Sequence, residues 1–600
     1  MATTPTEPGD ADTGRKQAPS GATSKKGRKH RTGVFVAVAV GVWAVVAAVT
    51  LAGAVVSARA GLATLEEVRE DASVSTLGSP QDDAVRLRDA EAHFDTARAR
   101  VRSLAVSPLR ALPVVGRQLR SVDHLSDAAG EVAGTAADAL GQIRDRLEGG
   151  LPSGPDRAGL LADMAEVAGG AEERLAAVDL GPDEGLIGPL AEGRSRAANE
   201  LAELQESAQR ARVGGAGMAE LFAGNSTLLL LLGNNAEMRA GSGMFLTVGT
   251  VTVSEGRLSV GEIVPTYDFQ LPESVPVEGD LADRWGWLEP GREWRNLGIS
   301  PRFDVTAPLA ARMWAQARGQ TVDGVLAVDV VALEAMLRAT GPVEVEGQTI
   351  DADTVVQDLL HDQYVGLDSQ DEVAQAERRG RLGGVARAAL EALERPELDG
   401  ALLAEELAGA ARGRHLLAWS SEPVVQQGWE AMSLDGALDS DDFLVAVLNR
   451  GGNKLDPYLE VTGNVTVEPG PDATAVTVEV TLENTVTADE PPYILGPSPP
   501  LLVAPGTYVG LVTATLPGAA GSGRFEGVES LAVAGADGPT RVVTVAVEVP
   551  MGEERSLTLR FELPPGPGAL DVLSSARMPA ISWRWHDRSW EDDHPEEVAW

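Results

Sequence analysis

Apolar positions change their spacing several times along the chain, and each change predicts a different kind of element. Residues 34–56 (VFVAVAVGVWAVVAAVTLAGAVV) are apolar throughout and carry no charge. A helix of that length crosses a hydrocarbon core about 30 Å thick. Over 61–222 apolar residues recur every three or four positions, as in Leu87, Ala90, Phe94, Ala97 and Val101, and again in Ala197, Leu201, Leu204, Ala208 and Ala211. Such seams are what antiparallel helices bury against one another, in a bundle or a coiled coil. Pro108 and Pro113, Pro152 and Pro155, and Pro182 to Pro189 divide the region, which predicts about four helices forming a stalk.

The pattern then shifts to alternating strands and helices over 226–449. Its opening stretch, 228–263, begins with five leucines ending at Gly233. A polar knot follows (Asn234, Asn235, Glu237, Arg239, Ser242), and two β-branched runs complete the stretch. Runs of this kind read as buried strands, and a polar knot at the mouth of a buried strand is where sites are commonly built. Helices are predicted over 306–318, 331–338, 353–361 and 373–393, a strand over 322–330, and a closing strand over 443–448. This alternation defines an α/β layer. From 451 to 585 the period is two, with turn residues between short runs, which predicts an immunoglobulin-like β-sandwich. Residues 586–600 remain as an acidic tail carrying Trp590 and Trp600. The fold class is therefore multidomain: one transmembrane helix, a helical stalk, an α/β domain and a sandwich.

Composition narrows the chemistry. A chain of 600 residues calls for more than one core. A formal net charge of −39 leaves no excess of cations to displace the counterions of a nucleic acid. There is no cysteine and there are only seven histidines, with no paired-histidine zinc motif. No phosphate-binding P-loop or nucleophile elbow is present either. Lysines crowd the first 30 residues (Lys16, Lys25, Lys26, Lys29) beside Arg15, Arg28 and Arg31, and only Lys454 lies beyond. A basic flank stays on the cytoplasmic side. Residues 1–33 thus read as a disordered cytoplasmic tail, and 34–56 as an uncleaved signal-anchor in the cell membrane with an extracellular main body. A cleaved signal peptide is the competing reading.

Four separated motifs carry a resemblance: LLLLLGNNAEMRAGSGMF (228–245), VDGVLAVDVVALEAMLRATGPVEV (322–345), RHLLAWSSEPVVQQ (414–427) and LNRGGNKLDPYLE (448–460). In this order they resemble the membrane-anchored actinobacterial proteins of the domain of unknown function 4012 family. The resemblance implies a cell-envelope protein. A second, more distant likeness is to the LytR-CpsA-Psr glycopolymer transferases, which share the layout of inner tail, anchor and outer α/β domain. There the first motif is similar to their entry strand, and AERRGRLGGVARAAL (376–390) to their arginine-rich helix start. That family binds a polyprenyl pyrophosphate through such arginines and holds magnesium with acidic residues. The chain departs from it at EIVPTYD (262–268), where an active-site arginine is expected.

The resemblance implies a phosphate site made of Arg239, Arg378, Arg379 and Arg381 with Asn234 and Asn235, and Mg2+ ligands in Glu237, Asp268 and Asp304. Arginine suits that task because its fork meets two phosphate oxygens at once. The competing readings are an Arg239–Glu237 salt bridge, a solvated face for Arg378 to Arg381, and asparagines that tie the turn. Asp323 and Asp329 read as turn and cap residues. Three functions stand: an envelope protein binding a phosphate-bearing lipid or glycan, a Mg2+-dependent transferase of polyprenyl-linked glycopolymer to the cell wall, and a structural scaffold. Partners are accordingly the membrane, a polyprenyl-phosphate lipid, a cell-wall glycan or an envelope protein. If the site exists, Arg239 and two of the three arginines at 378, 379 and 381 must share one pocket with an acid.

Overall fold

The computed structural model describes residues 26–74, 80–147, 150–269, 271–367, 372–395, 398–528 and 531–600. Most of the tail expected over 1–33 lies outside them. Helix α1, Lys26–Val74, begins inside the stretch expected to be tail. Within it Val40–Leu65 has a mean hydropathy of 2.2 and, at 26 residues, is long and apolar enough to cross a bilayer. Four more helices follow: α2 (Pro80–Val101), α3 (Pro113–Leu147), α4 (Pro155–Ala176) and α5 (Gly188–Ala223). Three of the four begin on proline, whose fixed φ and missing N–H suit the first helical position.

The chain divides into two compact units. One comprises the described residues up to Thr64 with Asp89–Gly130 and Asp179–Ala197; the other comprises Leu65–Arg88, Glu131–Val178 and Ala198–Trp600. In the first, Ala54 of α1 is buried with Val101, Val106 and Leu119.

The second unit is built around strand β1 (Asn225–Met238). It pairs antiparallel with β2 (Gly243–Ser254), which pairs with β3 (Arg257–Pro265). On its other side β1 runs parallel to β4 (Gly324–Val328), and β7 (Leu416–Ser420) closes the sheet in the order β3-β2-β1-β4-β7. A small hairpin, β5 (Val343–Val345) with β6 (Gln348–Ile350), stands apart. Side chains alternate across a strand, so the leucine run feeds two cores. Leu229 and Leu231 pack with Trp294, Met313 and Trp314, the last two on α7 (Phe303–Arg318), which follows the short α6 (Gly279–Trp285). Leu230 and Leu232 pack with Leu333 and Val385. These belong to α8 (Val330–Thr340) and α10 (Glu372–Ala392), between which lies α9 (Ala352–Leu360). Helices α11 (Gly400–Arg412) and α12 (Pro423–Ala431) complete the layer. A strand buried on both faces has no polar period, hence five leucines in succession; each buried one stabilises by about 2 kcal/mol.

Beyond residue 440 two six-stranded sheets form a sandwich. One holds β8 (Asp442–Asn449), β11 (Tyr508–Leu516), β13 (Val533–Asp537), β14 (Thr540–Val549), β16 (Ala569–Val572) and β19 (Glu596–Ala599). The other holds β9 (Leu459–Pro469), β10 (Thr474–Asn484), β12 (Arg524–Phe525), β15 (Glu554–Leu563), β17 (Ser582–Trp585) and β18 (Arg588–Glu591). Phe443, Val445 and Val447 meet Val461, Val465 and Val478 between the sheets. Two expectations are corrected here. The strand at 443–448 does not close the α/β layer but lies inside the sandwich. Its Leu444, Ala446 and Leu448 face the α/β core while the alternate residues face the sandwich core. The 586–600 stretch is not a separate tail either: it supplies β18 and β19, and Trp590 stacks on Trp583 with ring centroids 6.4 Å apart.

Candidate functional site

The polar knot sits where β1 loses its regular pairing, with shifts of register after Leu232 and after Asn234. Irregular strand ends of this kind re-aim side chains. Gly243 permits it, because a Cβ there would come within 2.6 Å of the Asn234 backbone. The two asparagines then take different tasks. Asn235 Oδ1 accepts from Val330 N (3.1 Å), and its Nδ2 donates to Asp329 Oδ2 (2.8 Å) and Ala576 O (3.2 Å). Asp329 in turn caps α8 at Val331 N and Ala332 N and accepts from His415 Nδ1 at 2.7 Å. Asn235 is thus a buried brace. Asn234 instead holds its neighbour Ala236 N through Oδ1 (2.9 Å) and donates to the Tyr364 hydroxyl at 3.0 Å.

Asn234, held by the fully buried Tyr364, lines a cavity of about 1370 Å³ reached by both the α/β layer and the sandwich. Arg239, Arg378, Arg379, Arg450 and Lys454 line it, with Glu237 among them. Arg292 and Arg295 join from the loop before α7, with Glu293, and Glu372 adds the remaining carboxylate. Seven cations therefore face three acids in a protein whose net charge is −39.

Two of the carboxylates are already engaged. Lys454 pairs with Glu237, both side chains being 8% exposed. Burial works against the Lys454 charge, but Glu237 and the nearby Tyr364 and Tyr493 more than offset it, so its pKa is raised. Arg295 Nη2 meets Glu293 at 2.8 Å. Arg239 is buried and its fork is spent on neutral oxygens: Nε on Arg295 O (2.8 Å), Nη1 on Met238 O (3.0 Å) and Asn449 O (2.8 Å). Desolvation pushes its pKa down to about 10 against the pull of Glu237. Arg239 therefore contributes positive potential and braces the floor, with little hydrogen-bonding capacity left over.

Arg378 and Arg379 differ. Each has a buried Nε without a hydrogen-bond partner, and neither forms an ion pair among the described residues. They rest on rings instead. Arg378 lies 5.1 Å from the Tyr493 ring centroid and 5.8 Å from that of Tyr364, and Arg379 lies 4.9 Å from that of Tyr267. Tyr364 and Tyr493 are stacked 5.5 Å apart at 9°. An aromatic face holds a guanidinium in place without consuming its donors. Arg450 is similar, 5.7 Å from the Trp287 ring, and burial lowers its pKa.

Below the floor, Asp456 accepts from Met238 N (3.1 Å), Asn449 Nδ2 (2.9 Å), Tyr508 Oη (3.0 Å) and Arg577 Nη1 (3.2 Å). Burial raises its pKa while Arg577 opposes the rise. This buried hub ties the end of β1 to β11 and to the strand-free segment carrying Arg577.

Of the residues singled out in the sequence, Asn234, Glu237, Arg239, Arg378 and Arg379 are brought to one cavity. Arg381 is not: it forms a two-pronged pair with Asp358 (2.8 and 2.6 Å) that raises its pKa. The proposed Mg2+ ligands do not assemble. Glu237 is held by Lys454, Asp268 is exposed outside the cavity lining, and Asp304 pairs with Arg302 at 2.8 Å. Among the described residues no three His, Asp or Glu side chains converge as metal ligands. Lys454, Arg450, Arg292, Arg295 and Tyr493 were not picked out as site residues. Lys454 had a signal, as the sole lysine beyond residue 30.

Fold and site together define a multidomain chain with one long apolar N-terminal helix, a helical region and a mixed α/β layer that shares a cationic cavity with a two-sheet sandwich. Residues 223–364 match the family model described as Protein of unknown function (DUF4012). The match takes in Asn234, Glu237, Arg239 and Tyr364 and ends before Arg378. No curated protein matches the chain.

Proposed function

We propose that this is a single-pass cell-envelope protein that binds a phosphate-bearing lipid or glycan in the cationic cavity without turning it over. In this reading α1 is the membrane anchor, the basic tail is cytoplasmic, and the α/β domain and an immunoglobulin-like sandwich lie outside. The observation that carries it is the pair Arg378 and Arg379, whose guanidinium groups rest on tyrosine rings with Nε unpartnered. A guanidinium fork left without an acid in so acidic a chain is matched to an oxyanion with several acceptor oxygens, as a phosphate has. The transferase reading loses its support because Glu237, Asp268 and Asp304 do not converge around a point where Mg2+ would sit.

The test is recovery of phosphate-bearing lipid and glycan with the full-length protein purified from membranes, wild type against Arg378→Gln/Arg379→Gln. The reading expects about tenfold less in the double variant, the loss of at least one charge-assisted pair. Equal recovery from both proteins, or none from either, contradicts it.

A further inference from the structure

The turn between α2 and α3 combines three features that the cavity does not explain. It contains a short 3-10 helix, Ser107–Ala111, and packs lengthwise on α1. Arg100 Nη1 donates to Ser57 Oγ at 2.6 Å and also to Gly53 O, while Trp43 Nε1 donates to Ala105 O at 2.8 Å. From Ser57 back to Trp43 the helix rises about 21 Å, all of it within the apolar segment Val40–Leu65. Second, the turn presents apolar side chains outward: Leu104 is 92% exposed, Val114 69% and Leu112 48%. Third, residues 96–122 hold six arginines and no Asp or Glu, against −39 for the whole chain. Arg98, Arg102 and Arg110 share Asp123 at 3.8, 2.6 and 2.5 Å, and Arg98 also pairs with Asp127. Arg117 and Arg120 are exposed and form no ion pair among the described residues.

We infer that this turn is a second membrane contact: residues 104–115 enter the lipid leaflet beside α1, with Arg117 and Arg120 on headgroup phosphates. The inference rests on the reading of α1 as a membrane anchor. Whatever packs along the middle of a spanning helix meets acyl chains rather than water, and Leu104, Leu112 and Val114 are suited to that medium. Arg100, at the depth of Gly53, has its donors on a backbone carbonyl and a hydroxyl, as an intramembrane cation requires. Arg117 and Arg120 have stems long enough to carry their charge to the phosphate level. Among possible occupants, a lipid leaflet satisfies both the apolar tip and the two unpaired arginines, Arg117 and Arg120, beside it.

The chain has no cysteine, so single thiols report without background. Full-length Leu104→Cys, Val114→Cys and Val49→Cys would be labelled with bimane in vesicles of phosphatidylcholine and phosphatidylglycerol, with and without doxyl-labelled lipid. Leu104 and Val114 are exposed, so their substitution leaves the packed core intact. The expected result is quenching by doxyl lipid of about twofold at all three positions, as for side chains within the acyl region. Quenching at Val49→Cys with none at the other two overturns the inference and leaves the anchor standing. Shielded emission at Leu104→Cys without lipid quenching means a protein partner or a second copy covers the tip, which also overturns it. No quenching at Val49→Cys refutes the anchor itself, and the second contact falls with it.

Discussion

Arg577 and Asp456 face each other with both side chains fully buried. Removing one partner strands the other's charge away from water, a cost far larger than the net worth of the pair. Arg577→Met is therefore expected to lower the unfolding free energy by about 3–5 kcal/mol, measured by urea denaturation of the full chain. A change below about 1 kcal/mol would mean that water reaches Asp456. His361 shows a milder dependence. Its Nδ1 meets Asp362 (2.6 Å) and its Nε2 meets Glu490 (3.2 Å), and the Asp362 hydrogen bond leads in raising its pKa. A raised histidine value adds stability that is full below the unfolded value near 6.5 and is lost as pH rises through the folded value. The thermal midpoint of wild type should thus fall more than that of His361→Gln between about pH 6 and pH 8.5. Parallel curves for the two proteins would refute the assignment.

Element by element, the leucine strand is the most legible part of the sequence, because an unbroken apolar run bounded by a glycine has few other uses. Its central place predicts that Leu231→Ala, at a position with no exposure, costs about 2–5 kcal/mol, read from the same denaturation. A cost below about 1 kcal/mol would place the residue outside the core. The same signal misled at 443–448, since a strand covered on both faces looks alike in either layer; only pairing with β11 decides its sheet. Helix α10 shows the matching limit for sites. Its sequence offers Arg378, Arg379 and Arg381 within one turn, and nothing in their spacing says that Asp358, 23 residues earlier, takes only the last. Asn234 and Asn235 are likewise adjacent, yet one reaches the cavity and the other braces α8. Such divisions depend on partners far away in sequence.

Across the whole molecule, charge is distributed against its average. Acidic residues dominate overall, while cations gather in the cavity, in the turn between α2 and α3 and in the basic N-terminal stretch. The first gathering is the central claim. Its most direct test is a calorimetric titration of full-length protein in phosphatidylcholine nanodiscs with inorganic pyrophosphate, in the presence of a chelator. Wild type should bind, Arg378→Gln/Arg379→Gln should bind about tenfold more weakly or not at all, and Arg381→Gln, outside the cavity, should match wild type. Undiminished binding by the double variant, or binding by wild type only once Mg2+ is supplied, would contradict the account.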